Sequence, residues 1–395
     1  MQRLIAHLDM DAFYAAVELL RYPELAGLPV VIGGGSRSRP EETTDPETGR
    51  RVRRFTRLRD YAGRGVATTA TYEARALGVH SAMALMRAAR LAPDAILLPT
   101  DFEAYGRYSR RFKAAVRAIA PLVQDNGIDE IYIDLTGVTL PEHETAIDDV
   151  DAAEAWWRAR DVAKAIKNAV RAATGLSCSI GVAPNKLLAK IASELEKPDG
   201  LTLLTPDDLQ ARIWPLPARK INGIGPKTAK RLESLGIRTI GELARAELPW
   251  LVEHFGNARG AWMHDAAHGR DDRDLVTESE PVSMSRETTF DRDLHATQDR
   301  DKLSQIFTEL CCEVADDLQR KGYAGRTIGL KLRYDNFKTV TRDQTIDTPT
   351  QDAKEIRHVA GECLKRVPLE RRIRLLGVRV GGLSPVEAAG HSDVS

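Results

Sequence analysis

Two acidic clusters lie at the ends of two apolar strands about 120 residues apart. Leu4-Ile5-Ala6-His7-Leu8 runs into Asp9-Met10-Asp11, and Asn126-Gly127-Ile128-Asp129-Glu130 opens Ile131-Tyr132-Ile133-Asp134-Leu135. A carboxylate at the end of an apolar strand is costly unless a cation or a basic group neutralises it. Brought together, the two clusters would hold a pair of divalent ions about 3.5–4 Å apart, the arrangement that serves in-line phosphoryl transfer. Nucleotidyl transfer is the chemistry to expect. Asp9 and Asp11, two apart, share one face of a strand at roughly 6.5–7 Å. Asp129 and Glu130 are adjacent and point to opposite faces unless the chain bends, and Asn126-Gly127 just before them is a turn signal.

The elements that must position these groups alternate strand and helix, which predicts a mixed sheet with helical cover. Residues 3–8 and 28–32 read as strands, 13–20 as a helix, and 36–65 as a mobile loop with nine arginines, five acids and little apolar periodicity. Order resumes at 66–72, followed by helical stretches 73–77 and 83–91, a strand at 96–98 and a helix at 102–120. After the second acidic cluster come a helix over 151–174, a strand over 177–182 and a helix over 186–195. Residues 206–268 read as all-helical, 269–281 as a polar linker, and 282–383 as a βαββαβ unit. The tail 384–395 is expected to be disordered.

A chain of 395 residues with 43% hydrophobic and 29% charged residues suits two to four domains of a soluble protein. Lys+Arg and Asp+Glu both number 57, a balance that argues against a nucleic-acid binder until its distribution is read. Residues 319–342 carry seven basic side chains against Asp335 alone, and 365–379 carry six against Glu370 alone. Lys331 and Arg333 share one strand face, with Leu330, Leu332 and Tyr334 on the other. Cys178, Cys311, Cys312 and Cys363 form no CxxC pair or zinc spacing and read as thiols in a reducing compartment. No apolar run is long enough to span a membrane, so a cytoplasmic protein is expected.

Several motifs, in order, resemble the Y-family (translesion) DNA polymerases, most closely the bacterial DNA polymerase IV branch. They are Asp9 to Glu18, Thr69-Ala70-Thr71-Tyr72-Glu73-Ala74-Arg75, Ile128 to Asp134, Gly181 to Lys186, Ala189 to Ser193, and Lys197-Pro198-Asp199-Gly200. The resemblance implies an α+β multidomain, right-hand polymerase: a ferredoxin-like palm (1–11 and 99–193), small fingers (12–98), a helical thumb (194–268) and a βαββαβ little finger (282–383). It implies two Mg²⁺ ions, with Mn²⁺ as a substitute, held by Asp9, Asp129, Glu130 and the Met10 carbonyl. Glu130 becomes the catalytic carboxylate at the primer-side metal, and Asp11 is not a direct ligand. Tyr14 matches the steric gate against a ribose 2′-hydroxyl, a role for which Phe13 is the alternative. Thr69, Tyr72, Arg75 and Lys197 match the triphosphate contacts; Tyr72 and Arg75, three apart, share a helix face, and the Arg75 fork suits phosphate oxygens.

Ile221-Asn222-Gly223-Ile224-Gly225-Pro226-Lys227 supplies a separate signal for DNA. Gly223 and Gly225 permit a tight hairpin between helices, the second helix presents its N-terminal amides to a phosphate, and Lys227 and Lys230 add charge. This resembles a helix–hairpin–helix that grips backbone without reading sequence. The implied partners are primer–template DNA and dNTPs, with a monomer as the default state. A sliding clamp is a further partner of the family, but the tail lacks the docking peptide. The loop 36–65 is longer than the family's turn, and Thr71 stands where asparagine is common. Three rival readings are a nucleotidyl cyclase, a non-catalytic DNA-damage adaptor and a protein-templated nucleotide inserter. The hairpin and the basic final domain have no job in a cyclase, an adaptor would have lost its carboxylates, and no extra domain for protein templating is evident.

Overall fold

The computed structural model describes residues 3–35, 38–44, 49, 51–141 and 152–386. They fall into two compact units, one ending at Glu278 and one beginning at Ser279. The first is built on a five-stranded sheet in the order β10-β9-β1-β8-β7: β1 (Ile5–Met10), β7 (Val123–Asp125), β8 (Glu130–Asp134), β9 (Cys178–Ala183) and β10 (Leu201–Leu203). β1 lies antiparallel between β8 and β9, and β10 joins β9 in parallel.

The strand period of two decides what each sheet face meets. Ala6, Leu8, Ile131, Ile133, Ile180 and Val182 share a core with α4 (Phe102–Arg117) and α5 (Ala152–Thr174). Ile5 and Tyr132 point the other way, into a core built with α6 (Lys186–Leu195) and the helices beyond it. α6 lies directly on β9 because residue 181 is glycine. A Cβ there would fall 2.2 Å from the Ser193 nitrogen and 2.4 Å from the Ala189 carbonyl oxygen. Asp9 and Glu130 belong by register to this same α6 face.

A smaller sheet, β5-β2-β6, consists of β2 (Val30–Gly34), β5 (Thr69–Ala70) and β6 (Ile96–Pro99), packed with α2 (Tyr72–Ala76) and α3 (Leu85–Leu91) around Val31, Leu85 and Leu97. The mobile loop expected over 36–65 is corrected here. Its described part holds a two-stranded hairpin, β3 (Glu41–Thr44) on β4 (Arg51–Arg54), and a short 3-10 turn at Leu58–Asp60 whose Leu58 is fully buried. Several of its arginines are used internally: Arg53 pairs with Glu24 at 3.0 Å and lies over the Tyr22 ring, Arg57 donates to the Asp94 carbonyl, and Arg59 pairs with the Asp94 carboxylate.

The helical segment contains α7 (Pro226–Ser234), α8 (Ile240–Arg245), α9 (Leu248–Phe255) and α10 (Asn257–Ala267). The stretch expected as a polar linker is fastened over 269–276 rather than loose. Asn185 donates to the Gly269 carbonyl (2.7 Å), the Leu187 amide to Asp271 (2.9 Å), Lys186 to the Asp274 carbonyl (3.0 Å) and the Val276 amide to Gln124 (3.0 Å). Its polarity serves these bonds.

The second unit follows the βαββαβ order: β11 (Ser283–Leu294), α11 (Arg300–Lys321), β12 (Tyr323–Tyr334), β13 (Thr339–Thr350), α12 (Ala353–Lys365) and β14 (Ile373–Pro385). The sheet order is β11-β14-β12-β13, antiparallel throughout. Leu330, Leu332 and Tyr334 share a core with Leu310 and Val314 of α11 and Val359 of α12. The tail was expected to be disordered from 384, but β14 runs on to Pro385; the rest of that expectation, over 387–395, lies outside the described residues.

Candidate active site

Asp9 of β1 and Glu130 of β8 are direct cross-strand partners. Like charges so placed repel, and the cost falls only if a cation joins them. Two lysines do so here: Lys197 bonds to Asp9, and Lys190 of α6 bonds to Glu130. Asp129 sits one residue before β8, where its carbonyl accepts from the Met10 amide at 3.0 Å. The chain bends over 127–129 on its way into β8, and the charges of Asp9 and Glu130 both act on Asp129. The Asn126 side chain donates to Glu130 at 2.6 Å across the same turn. Asp9, Met10 and Asp129 line one cleft together with Phe13, Tyr14, Thr69, Arg75 and Lys197.

Burial pushes the Asp9 carboxyl up, against the pull of the Lys197 ammonium. Burial, and next the charge of Asp9, push Asp129 up as well. Lys197 is also buried, yet the charge and hydrogen bond of Asp9 hold its ammonium above the usual range. Glu130 behaves differently: burial works against its charge, but the bonds from His7 and Lys190 hold it down at about 2. His7 is fully buried and kept below its ordinary value by that burial. Its Nε2 lies 3.3 Å from Glu130, and its Nδ1 lies 2.8 Å from the Ser193 hydroxyl, which itself donates to the Lys190 carbonyl at 2.9 Å.

Among the described residues no three His, Cys, Asp or Glu side chains are already gathered as a metal centre. The donor set nonetheless suits hard divalent cations: three carboxylates at one end of a strand pair, Asp9 and Asp129 raised by burial, with Asp9 and Glu130 each paired to an ammonium on a flexible stem. The lysines stand where positive charge is needed.

Asp11 does not share this role. β1 stops at Met10, and Ala12 is left-handed (φ 44°), so the regular face-sharing expected of Asp9 and Asp11 ends between them. The Asp11 carboxylate is buried and accepts from the Ser177 hydroxyl, the Ser179 hydroxyl and the Asp199 amide, each at 2.8 Å. It fastens the Lys197–Gly200 turn to the sheet.

Tyr14 is half-buried and stacks on Tyr105 of α4, centroids 4.3 Å apart and planes 23° apart. Phe13, from the same α1 (Phe13–Arg21), is buried in the core against Phe112, although it also reaches the cleft. Of the two, Tyr14 has the more exposed ring. The Tyr105 hydroxyl donates to Glu18 at 2.8 Å, and Glu18, only 2% exposed, is also near Arg21. Arg75 donates to the Ala70 carbonyl (3.0 Å) and Thr69 (3.3 Å), and its guanidinium lies 4.9 Å from the Tyr72 ring centre. The Tyr72 hydroxyl is buried with no hydrogen-bond partner among the described residues, as expected of a donor waiting for a ligand oxygen.

Gly223 is required at its position: φ is +108°, and a Cβ would meet the Trp262 ring at 2.8 Å. Gly225 is the N-cap of α7 with φ −75°, and a Cβ there would meet nothing within 4 Å. Lys227 and Lys230 are exposed and make no ion pair among the described residues. In the second unit Lys331 pairs with Glu287 (2.7 Å) and Arg333 donates to Thr339 (3.0 Å), so neither stands free.

Sequence reasoning did not assign His7, Ser193 and Lys190, the groups that hold Glu130, nor Glu18 and Tyr105 behind Tyr14. His7 stood two residues before Asp9 on its strand face, and Lys190 and Ser193 stood in the 189–193 motif without a role; their partners appear only through long-range packing.

The sequence model of the impB/mucB/samB family matches residues 8–194. That of the family's C-terminal domain matches 281–393, and that of the IMS family HHH motif matches 206–237. The DNA polymerase IV of Alkalilimnicola ehrlichii is 39% identical over 98% of this chain and 96% of its own. That of Methanoculleus marisnigri is 38% identical over 96% of this chain and 94% of its own. A solved Y-family DNA polymerase chimera shares the fold at a TM-score of 0.75, with 23% identity over 96% of this chain and 98% of that one.

Proposed function

Since the chain belongs to the impB/mucB/samB family, we propose that the site just described carries out that family's reaction with the residues named below. The protein is a template-directed DNA polymerase of the low-fidelity translesion class, without a proofreading exonuclease. It joins a dNTP to a primer 3′-hydroxyl with release of pyrophosphate, and it depends on divalent metal ions. Our assignment of those ions is two Mg²⁺, with Mn²⁺ as a substitute. The sheet carrying Asp9 and Glu130 is read as the palm, 12–98 as fingers, 194–268 as thumb and 282–383 as little finger.

The cross-strand pairing of Asp9 with Glu130, beside Asp129, carries the site assignment. Asp9, Asp129 and the Met10 carbonyl would hold the nucleotide-side ion, and Glu130 the primer-side one. When bound, the ions neutralise phosphate charge and lower the barrier to in-line attack. Glu130, kept ionised by Lys190 and His7, would supply negative charge at the primer-side ion and so help activate the 3′-hydroxyl. Lys197, Arg75 and Tyr72 grip the triphosphate, and Thr69 steadies Arg75. Tyr14 closes the sugar side of the cleft. Gly223, Gly225, Lys227 and Lys230 hold DNA backbone in the thumb, and Lys331 and Arg333 turn from their internal partners to phosphates. We take the protein to be a cytoplasmic monomer; among the described residues no helix is long and apolar enough to cross a membrane.

Primer extension on a defined template, with each dNTP supplied alone, tests this reading. Wild type should add only the matched nucleotide. Glu130→Ala should bind primer–template normally and add nothing, and sustained synthesis by that variant would remove Glu130 from the catalytic role.

A further inference from the structure

The β12–β13 turn breaks its own local rule. Tyr334 donates to the Lys338 carbonyl and Phe337 to the Tyr334 carbonyl, both at 3.0 Å, leaving a three-residue loop of Asp335, Asn336 and Phe337. In such loops the last residue turns left-handed, and glycine is the usual occupant. Phe337 occupies it instead at φ +65°, with 63% of its surface exposed.

Two separate costs are therefore incurred at one residue: a strained backbone and a phenyl ring in water. Of the described non-glycine residues in this conformation, Ala12 and Asp199 flank the active site and Ala82 is small. Backbone strain of this kind clusters at active sites and ligand clamps.

The surroundings say what that partner is. The Arg374 guanidinium lies 4.6 Å from the Phe337 ring centre and holds it in place. Arg371 bonds to Asp335 at 2.9 Å, and the Asp335 amide donates to the Arg372 carbonyl at 3.0 Å, which ties the start of β14 to the turn. Lys338, next to Phe337 in the chain, and Arg371 and Arg372, tied to the turn through Asp335, are exposed, and Lys338 and Arg372 make no ion pair among the described residues. An exposed ring backed by Arg374, in a turn whose neighbours Lys338, Arg371 and Arg372 are exposed cations, fits an unpaired nucleobase with its flanking phosphates neutralised nearby.

We propose that Phe337 is a stacking platform for an unpaired base of single-stranded DNA, with Lys338 and Arg372 on the adjoining phosphates. This rests on the reading of the chain as a DNA polymerase and adds a contact to it.

The test uses the full chain and fluorescence anisotropy with a single-stranded oligonucleotide and a blunt duplex. Phe337→Gly suits the left-handed backbone, so its melting temperature should equal or exceed that of wild type while the ring is lost. It should weaken single-strand binding about fivefold or more, the lower end of what a base–aromatic stack supplies, and leave duplex binding within about twofold. The salt dependence should not change, because no charge is removed, whereas Lys338→Ala should flatten it. Phe337→Trp should restore single-strand affinity. Unchanged affinity in Phe337→Gly, or equal loss on both DNAs, would overturn the proposal. Failure of wild type to bind either DNA would instead count against the polymerase reading.

Discussion

Replacing Asp11 by asparagine separates two accounts of the Asp9–Asp11 pair. If Asp11 ligates metal, removing its charge should relieve repulsion, leave the fold unharmed and lower kcat at saturating nucleotide. The structure argues for the opposite result. Its carboxylate accepts three hydrogen bonds at 2.8 Å, from Ser177, Ser179 and the Asp199 amide. A bond to a charged acceptor is worth about 1.5–3 kcal/mol against about 0.5–1.5 for a neutral one. Asparagine keeps one acceptor oxygen, presents an amide to the other donors and loses the charge, for a cost of roughly 2–4 kcal/mol. In a unit of this size that lowers Tm by roughly 3–7 °C. The same loss frees the turn holding Lys197, so KM for dNTP should rise at least about tenfold while kcat and primer–template affinity hold. Thermal melts and steady-state single-nucleotide insertion read both. An unshifted Tm with a collapsed kcat would refute the fastening role.

Tyr14→Ala should raise ribonucleotide insertion relative to dNTP. Tyr105→Leu, which removes the ring stacked behind it, should do so two- to tenfold, matching the roughly 0.5–1.5 kcal/mol of an aromatic pair; equal kcat/KM ratios in wild type and Tyr105→Leu would show that the stack does not position Tyr14. Glu130 titrates at about 2 rather than its usual 4.5, so its stabilising effect is present above pH 4.5 and lost as pH falls toward 2. Glu130→Gln should accordingly be less stable than wild type at pH 7 by up to roughly 3 kcal/mol, with the gap closing below pH 4.5; a pH-independent gap in denaturant melts without divalent metal would contradict this. Gly223→Ala should cost roughly 1–3 kcal/mol by driving a Cβ into Trp262, while Gly225→Ala should leave Tm unchanged and weaken DNA binding. Identical melts for the two would show that the hairpin gives way at Gly223.

What the sequence made legible and what it hid divide along a physical line. Apolar alternation in 4–8 and 131–135 exposes the strands, and Gly-x-Gly before Pro226 exposes the turn, because period and φ requirements are local. The βαββαβ order of the second unit was readable for the same reason. The hairpin in 36–65 was not. Its strands carry Thr, Glu and Arg in place of apolar residues, and its stability comes from Arg53 meeting Glu24 and Tyr22 some thirty residues earlier. The strapped stretch after α10 was hidden in the same way, since Asp271 and Gln124 look solvated until α6 arrives. The active site follows the same division. Carboxylates at strand ends announced a charge problem, but the groups that solve it for Glu130, namely His7, Ser193 and Lys190, meet only because Gly181 lets α6 lie on β9. A glycine that reads as ordinary strand sequence thus decides how near the cations come to the acids. Gly181→Ala should therefore harm catalysis through Glu130 as well as through stability, and restoring the fold with a stabilising surface change elsewhere should not restore the rate.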